Sequence, residues 1–557
     1  MSSVLGALTL LPRVALRGLH RGLTGHQAVL DVTVERIPDL LQRDRFLRRL
    51  GGVVDDPRVV AVVLRLHAPP AGWAALQDLV AVIRRIRDSG RKVYAWLEAP
   101  GNAVMAIAAA CDEVFVVPTG EVGLVGVGTE LTFFGAALGR MGIRPDFEAA
   151  GAYKSFGEPW TRSFPSPANQ EAVRELVEDL HHQLVVAIAD GRGQGIEEVQ
   201  AVLGRAPLSA EEAKLAGLVD ELMYEDQLES WLEEAHGSKA HLVPFRGWAL
   251  RELVVERLGR IGASGPTVAV LHLQGPITLE ERSGAFSIVA REVLPVLRRL
   301  KEDDDVAAVV LHVDSPGGSA LASDLMWREV VEIKRQKPVV AAFEDVAASG
   351  GFYLSAAANA IVARPGTLTG SIGVFGGKLV MSEGLRKVGV HTQEVLAAPN
   401  ANLYSAIRHF SDEQRVRFRA SLQRFYDGFV GRVAEGRGKP IDEVEPHCRG
   451  RVWTGKAALE RGLVDETAPG LEGAIERARG LAQLPVDRYV RHDLAGQHDP
   501  LWTRVLQGVV RQVVPVSRMG ALRWAERLIA PGLALADVVT AHPNQPIAML
   551  PFEVEVR

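Results

Sequence analysis

Ser349 lies in the run Glu344-Asp-Val-Ala-Ala-Ser-Gly-Gly-Phe-Tyr353, between small residues, where a strand-like segment gives way to a helix-like one. Small neighbours permit a sharp turn there, and a helix N-terminus favours negative charge developing nearby. A serine becomes a nucleophile only with a base. Histidine is one option. His312 lies within a strand-like run and His391 near a strand start, while His409 and His447 fall in polar segments, and none has a distinctive setting. Lysine is the other option, since Ser–Lys pairs are a known variant of the triad. A lysine is a base only when neutral, so its ordinary pKa of ~10.4 must fall by about three units, at ~1.4 kcal/mol each. Burial in an apolar groove does this, because desolvation penalises the ammonium. The run Asp314-Ser-Pro-Gly-Gly-Ser319 adds Gly317 and Gly318, which let backbone N–H groups approach a ligand closely.

The elements that must position these groups occur twice. Val59-Val-Ala-Val-Val-Leu-Arg-Leu-His-Ala-Pro69 lines up with Val306-Ala-Ala-Val-Val-Leu-His-Val-Asp-Ser-Pro316 at an offset of 247. Both are β-branched apolar runs of strand length, which read as buried parallel strands. Each leads into a helical segment, 74–88 and 321–335, and then a second strand beginning at Lys92 or Lys337. Leu208 to Asp220 matches Trp453 to Asp465 at an offset of 245. Alternating strands and helices imply parallel sheets with right-handed crossovers. The chain therefore divides into an amphipathic segment 1–24, a first repeat 25–240, a connection 241–265, a second repeat 266–484 and an amphipathic extension 485–557.

The two copies differ where the chemistry would be. Pro70 stands opposite Gly317 and has no N–H to give, and Gly101 stands opposite Ser349 without a hydroxyl. In the other direction, Gly142 to Ser155 aligns with the segment beginning at Gly389, which puts Lys154 opposite Ala401. One copy has kept a serine and the other a lysine.

Composition narrows the field further. The 557 residues are 47% hydrophobic and 24% charged, which excludes a wholly disordered chain. A net charge of −5 argues against a dedicated nucleic-acid binder. The two cysteines, Cys111 and Cys448, make no disulfide framework, and the usual Cys and His metal signatures are missing.

Four stretches together carry a family resemblance: Asp314 to Ser319, Ala347 to Gly351, Thr367 to Phe375 and Tyr153 to Trp160. They resemble the long, two-repeat signal peptide peptidases of the protease IV type, over about 25–480. The fold this implies is that of the Clp protease and crotonase superfamily, a tandem repeat of spiral ββα units in the α/β class. The implied enzyme is a serine endopeptidase that degrades cleaved signal peptides and other apolar peptides through an acyl-enzyme. Carried over, Ser349 is the nucleophile and Lys154 the general base. Ser371 orients the lysine, and Gly318 and Gly350 supply oxyanion N–H groups. The resemblance implies no metal or other cofactor, and a homo-oligomer, by likeness a tetramer. Asp314 stands where the family more often has asparagine, and the family's usual N-terminal membrane anchor is not expected from residues 1–30.

Residues 1–30 hold no acid, and Arg13, Arg17 and Arg21 fall on one helical face. The apolar run before Arg13 is too short to span a bilayer, and no signal peptide is evident. A helix on an anionic membrane surface is the expectation, with docking on the protein's own core as the alternative. Around Trp502 to Ile529 the tail repeats this pattern. Location is thus expected to be peripheral, on the bacterial inner membrane. The uncharged run Val346 to Ala363 carries Ser349, Gly350, Gly351, Ser355 and Asn359, which suit a loop entering a buried helix better than a membrane span. Two other functions fit parts of this pattern: a crotonase-type acyl-CoA enzyme, which needs no serine nucleophile or lysine base, and a membrane-surface scaffold that has lost catalysis.

Overall fold

The computed structural model describes residues 27–250, 265–280, 287–495 and 547–549, less short gaps at 36, 38, 68–71, 238–239, 468–469 and 487–488. The amphipathic segments at 1–24 and around 502–529, and Pro70, lie outside the described residues. Among those described, no helix is long and apolar enough to cross a membrane.

In chain order the first half supplies β1 (Gln27–Val34), β2 (Val59–Leu66), β3 (Lys92–Leu97), β4 (Glu113–Val116), β5 (Glu121–Val122), β6 (Arg144–Ala150), β7 (Leu208–Ser209), β8 (Glu221–Leu222) and β9 (Ala240–Pro244). The second supplies β10 (Thr267–Gln274), β11 (Ile277–Thr278), β12 (Ile288–Val289), β13 (Val306–Ser315), β14 (Gly317–Ser319), β15 (Val339–Ala348), β16 (Ala360–Ala363), β17 (Leu368–Gly370) and β18 (Val374–Val380). It ends with β19 (Val452–Thr454), β20 (Glu466–Thr467), β21 (Val490–Ala495) and β22 (Ile547–Met549).

Two sheets repeat one plan. The first runs β8-β4-β3-β2-β1-β9 and is parallel throughout. The second runs β19-β17-β15-β13-β10-β21, with β16 also paired to β15 and β20 paired to β16. Its pairings are parallel except where β19 meets β17. β2 and β13 are buried almost end to end because both faces of a parallel sheet are covered. On the first sheet packs the helix Trp73–Asp88, whose Trp73, Leu76, Leu79, Val80, Ile83 and Ile86 form one buried stripe. The helix Ala320–Lys334 is its counterpart, burying Ala322, Met326, Val330 and Ile333. The uncharged run Val346 to Ala363 is the end of β15, the buried helix Gly350–Ser355 and β16.

The repeats are not independent. β6 of the first half pairs antiparallel with β18 of the second, from Val374 opposite Ala150 to Val380 opposite Arg144. At the repeat offset their counterparts are residues 391–397 and 127–133, and neither is a strand. Each half thus supplies one strand of this pair and has none at the other position. His391 is thus not at a strand start: it lies in an exposed loop, where no partner strand holds the backbone extended.

Polar contacts lock the halves together. The helix Trp73–Asp88 begins at Gly72, which has no side chain to cap it. Asp345, from the second half, accepts a hydrogen bond from the Ala75 N–H at 2.9 Å and supplies the cap. Arg43, on the helix Leu40–Gly51, lies 3.0 Å from the Asp345 carboxylate and 2.9 Å from Glu344.

Candidate active site

Ser349 follows the last residue of β15 and opens the helix Gly350–Ser355. Its φ of 53° and ψ of −111° are a strained conformation for a residue with a side chain. The turn is held by the Ser349 N–H, which donates to the Gly370 carbonyl at 2.8 Å, and by the Tyr353 N–H, which donates back to the Ser349 carbonyl. Strain of this kind at a strand-to-helix turn aims a hydroxyl out of the sheet, as nucleophile elbows do.

Lys154 reaches the same point from the first half. It follows β6 in a tight turn, with its N–H donating to the Gly151 carbonyl at 3.0 Å. The second half completes this turn: the Tyr153 N–H donates to the Arg449 carbonyl at 2.7 Å. Gly450, at φ +79°, lies so close that a Cβ there would sit 2.6 Å from the Lys154 amide nitrogen. Arg451 reaches back to Glu171 at 2.9 Å and to Glu175, tying this turn to the long helix Pro167–Arg192.

The lysine amine has three oxygen partners. Nζ is 2.8 Å from Ser349 Oγ, 2.9 Å from Ser371 Oγ and 2.9 Å from the Ser371 carbonyl. Lys154 is 5% exposed and both serines are fully buried. Burial holds the amine well below the ordinary lysine range, and among the described residues no carboxylate opposes that shift. Ser371 also has a positive φ, 50°, and its N–H donates to the Arg451 carbonyl. Two strained serines therefore converge on one desolvated amine.

The glycines fall beside this group. Gly318 lies in β14 at φ +155°, where a Cβ would meet the Ile277 carbonyl oxygen at 2.1 Å. A Cβ on Gly350 would be 3.2 Å from both the Gly318 nitrogen and the Gly317 Cα. Gly350, the residue after Ser349, is thus packed against Gly317 and Gly318.

The histidines go elsewhere. His312 is bonded to His272 at 2.9 Å and Glu344 at 3.0 Å. His409 pairs with Asp146, and the His447 carbonyl accepts from the Trp453 indole. Asp314 accepts the Val346 N–H and, with Glu344, belongs to the buried acid cluster around Arg43. Burial raises both acids, to about 7, with Arg43 offsetting part of the rise. Asp44, His272 and Asp493 form a group of metal-ligand type, but Arg48 and Arg491 already neutralise its carboxylates.

Gly450, Arg451 and Asp345 are positioning residues that sequence reasoning missed. Gly450 and Arg451 sit in an ordinary-looking turn, and Asp345 reads as one more acid in a strand.

The chain is similar to known proteins over most of its length. The family model "Peptidase family S49" matches residues 85–239 and 332–485, once in each repeat. "Serine protease SPPA, chloroplastic" of Arabidopsis thaliana is 30% identical over 475 residues, covering 83% of this chain and 69% of its own. "Protease 4" of Haemophilus influenzae is 26% identical over 481 residues, covering 83% of this chain and 77% of its own. Among solved structures, a membrane-bound stomatin-specific protease superposes at 16% identity and TM-score 0.27, over 42% of this chain and 99% of its own. The chain is a serine peptidase and belongs to peptidase family S49.

Proposed function

We propose that the protein is an endopeptidase in which Ser349 attacks the peptide carbonyl and Lys154 is its general base. The observation that carries this is the 2.8 Å contact between Nζ and Oγ in a site where the amine is desolvated. A neutral amine has two N–H groups and one lone pair. With N–H groups directed at the Ser371 carbonyl and hydroxyl, the lone pair is left for the Ser349 O–H. Ser371 therefore orients the base.

On substrate binding, Ser349 Oγ attacks the carbonyl carbon while its proton passes to Lys154 Nζ. The oxyanion forms against the Gly318 and Gly350 N–H groups, each worth about 3–4 kcal/mol if lost. The ammonium, now beside the oxyanion, gives its proton to the leaving amine and the C–N bond breaks. Water then enters, loses a proton to the same amine and attacks the ester. Collapse returns the proton to Ser349 and releases the acid. None of these steps calls on a cofactor. An acyl-CoA enzyme would have no use for a buried amine against a strained serine.

The substrate class is apolar peptide, cleaved signal peptides above all, met at a membrane surface by a homo-oligomeric, by likeness tetrameric, peripheral enzyme of the bacterial inner membrane. The named peptidases to which the chain is similar support the peptidase part of this reading. Ser349→Ala and Lys154→Ala are expected each to abolish hydrolysis of an apolar peptide by the folded protein. Substantial turnover by Lys154→Ala would overturn the assignment.

A further inference from the structure

Four polar side chains form a row across the second sheet, one from each of the neighbouring strands β21, β10, β13 and β15. Asp493 Oδ1 is 3.3 Å from His272 Nε2, and His272 Nδ1 is 2.9 Å from His312 Nδ1. His312 Nε2 is in turn 3.0 Å from Glu344 Oε2. His272, His312 and Glu344 are all buried. The chemistry at Ser349 uses none of them.

The row has a fixed proton count. Each of its three links needs one proton, and a neutral imidazole brings only one. Arg48 and Arg491 lie 3.1 and 2.8 Å from Asp493, which is therefore a carboxylate. His272 Nε2 must donate to it, so His272 Nδ1 offers a lone pair. The proton between the two rings then belongs to His312 Nδ1, and His312 Nε2 turns its own lone pair toward Glu344. A carboxylate there would set lone pair against lone pair, so the third proton must come from outside the two neutral rings. Burial decides where it rests: it lowers His312 to about 4 and raises Glu344 to about 7.

The surroundings of Glu344 lead to the same place. Arg43, from the first repeat, is 2.9 Å from Glu344, 3.0 Å from Asp345 and 3.9 Å from Asp314. Asp44 stands next to Arg43 on the same helix, and Arg364 is paired with Asp78. Fully ionised, Glu344, Asp345 and Asp314 would put three negative charges around one guanidinium. A proton on Glu344 removes one of them.

We propose that Glu344 holds the third proton of this row and acts as a proton-operated latch between the repeats. With the proton in place, the acid donates to His312 and leaves its other oxygen to Arg43. When the proton leaves, the link between β13 and β15 is broken and repulsion gathers at the inter-repeat contact. The latch lies on the strands that run on to the glycines of β14 and to Ser349, but it does not depend on the peptidase chemistry.

The test uses the full chain and Glu344→Gln, whose amide keeps a donor for His312 and an oxygen for Arg43 but has no proton to lose. At pH 6 the wild type is expected to show a protonated-carboxyl band in the infrared. That band should shift on [13C]glutamate labelling, be lost in Glu344→Gln, and fade in the wild type with a midpoint near 7. Unfolding returns Glu344 to its ordinary pKa of about 4.3, so between that value and 7 the folded state binds one proton more. Across this window the wild-type unfolding constant is expected to rise relative to the variant by up to about tenfold per pH unit, and to level off above it. Should Glu344→Gln not fold, the labelled wild-type band and its midpoint decide alone. No glutamate-derived band at pH 6, a band that survives Glu344→Gln, or parallel stability profiles would each overturn the proposal.

Discussion

Gly450 lies against the backbone of Lys154, although the two residues belong to different repeats: a Cβ on the glycine would fall 2.6 Å from the lysine nitrogen and 2.7 Å from its Cβ. The position also needs φ +79°, which disfavours any side chain. Gly450→Ala must therefore push the lysine turn away from Ser349. A misplacement near 1 Å can cost about a hundredfold in rate. The expected result is a kcat lower by roughly that factor with KM little changed, read from steady-state peptide hydrolysis.

Ser371 gives the lysine amine two of its three partners, through its hydroxyl and its carbonyl. Ser371→Ala removes the first and keeps the second. Loss of a buried partner costs about 1–3 kcal/mol, which is roughly a five- to 150-fold fall in kcat. Ser371→Thr, which keeps a hydroxyl, is expected to lose less. Single-turnover acylation rates would show both effects.

The buried amine makes stability depend on pH in a definite direction. In the folded protein its pKa lies well below the ordinary value, while unfolding restores it to about 10.4. Between those two pKa values the unfolded chain binds the extra proton. Its contribution to stability therefore rises with pH and is largest above about 10.4, with a limiting slope of ~1.4 kcal/mol per unit. Urea unfolding of the wild type and of Lys154→Met across this range is expected to show the wild type gaining on the variant as pH rises. A pH-independent difference would contradict a neutral lysine.

Asp345 caps a helix of the other repeat through Ala75 and pairs with Arg43. Removing an N-cap costs about 0.5–2 kcal/mol. Asp345→Ala is expected to lower stability by at least that much, and Asp345→Asn, which keeps the accepting oxygen, by less. Chemical denaturation would measure both.

Much of this design is visible in the amino-acid order, because β2 and β13 carry continuous β-branched runs and the turn at Ser349 is marked by small residues. The lysine becomes visible through the comparison of the two copies and the resemblance to known peptidases. Beyond the Ser349–Lys154 pair, what could not be read are the other contacts between the repeats. β6 and β18 pair across the repeats, and nothing in residues 391–397 announces that His391 has no strand to start. Gly450 and Asp345 matter through neighbours roughly 300 positions away, across the repeat interface. The tail strand β22 has three residues and no periodicity of its own.

The central claim is that an uncharged Lys154 takes the proton of Ser349. The most direct measurement is the pH dependence of Ser349 labelling by a fluorophosphonate, in the wild type and in Lys154→Ala. The account predicts a wild-type rate that rises with a midpoint well below lysine's ordinary ~10.4 and a variant that labels poorly at every pH. Equal labelling of the two proteins, or a wild-type midpoint at the ordinary lysine value, would contradict it.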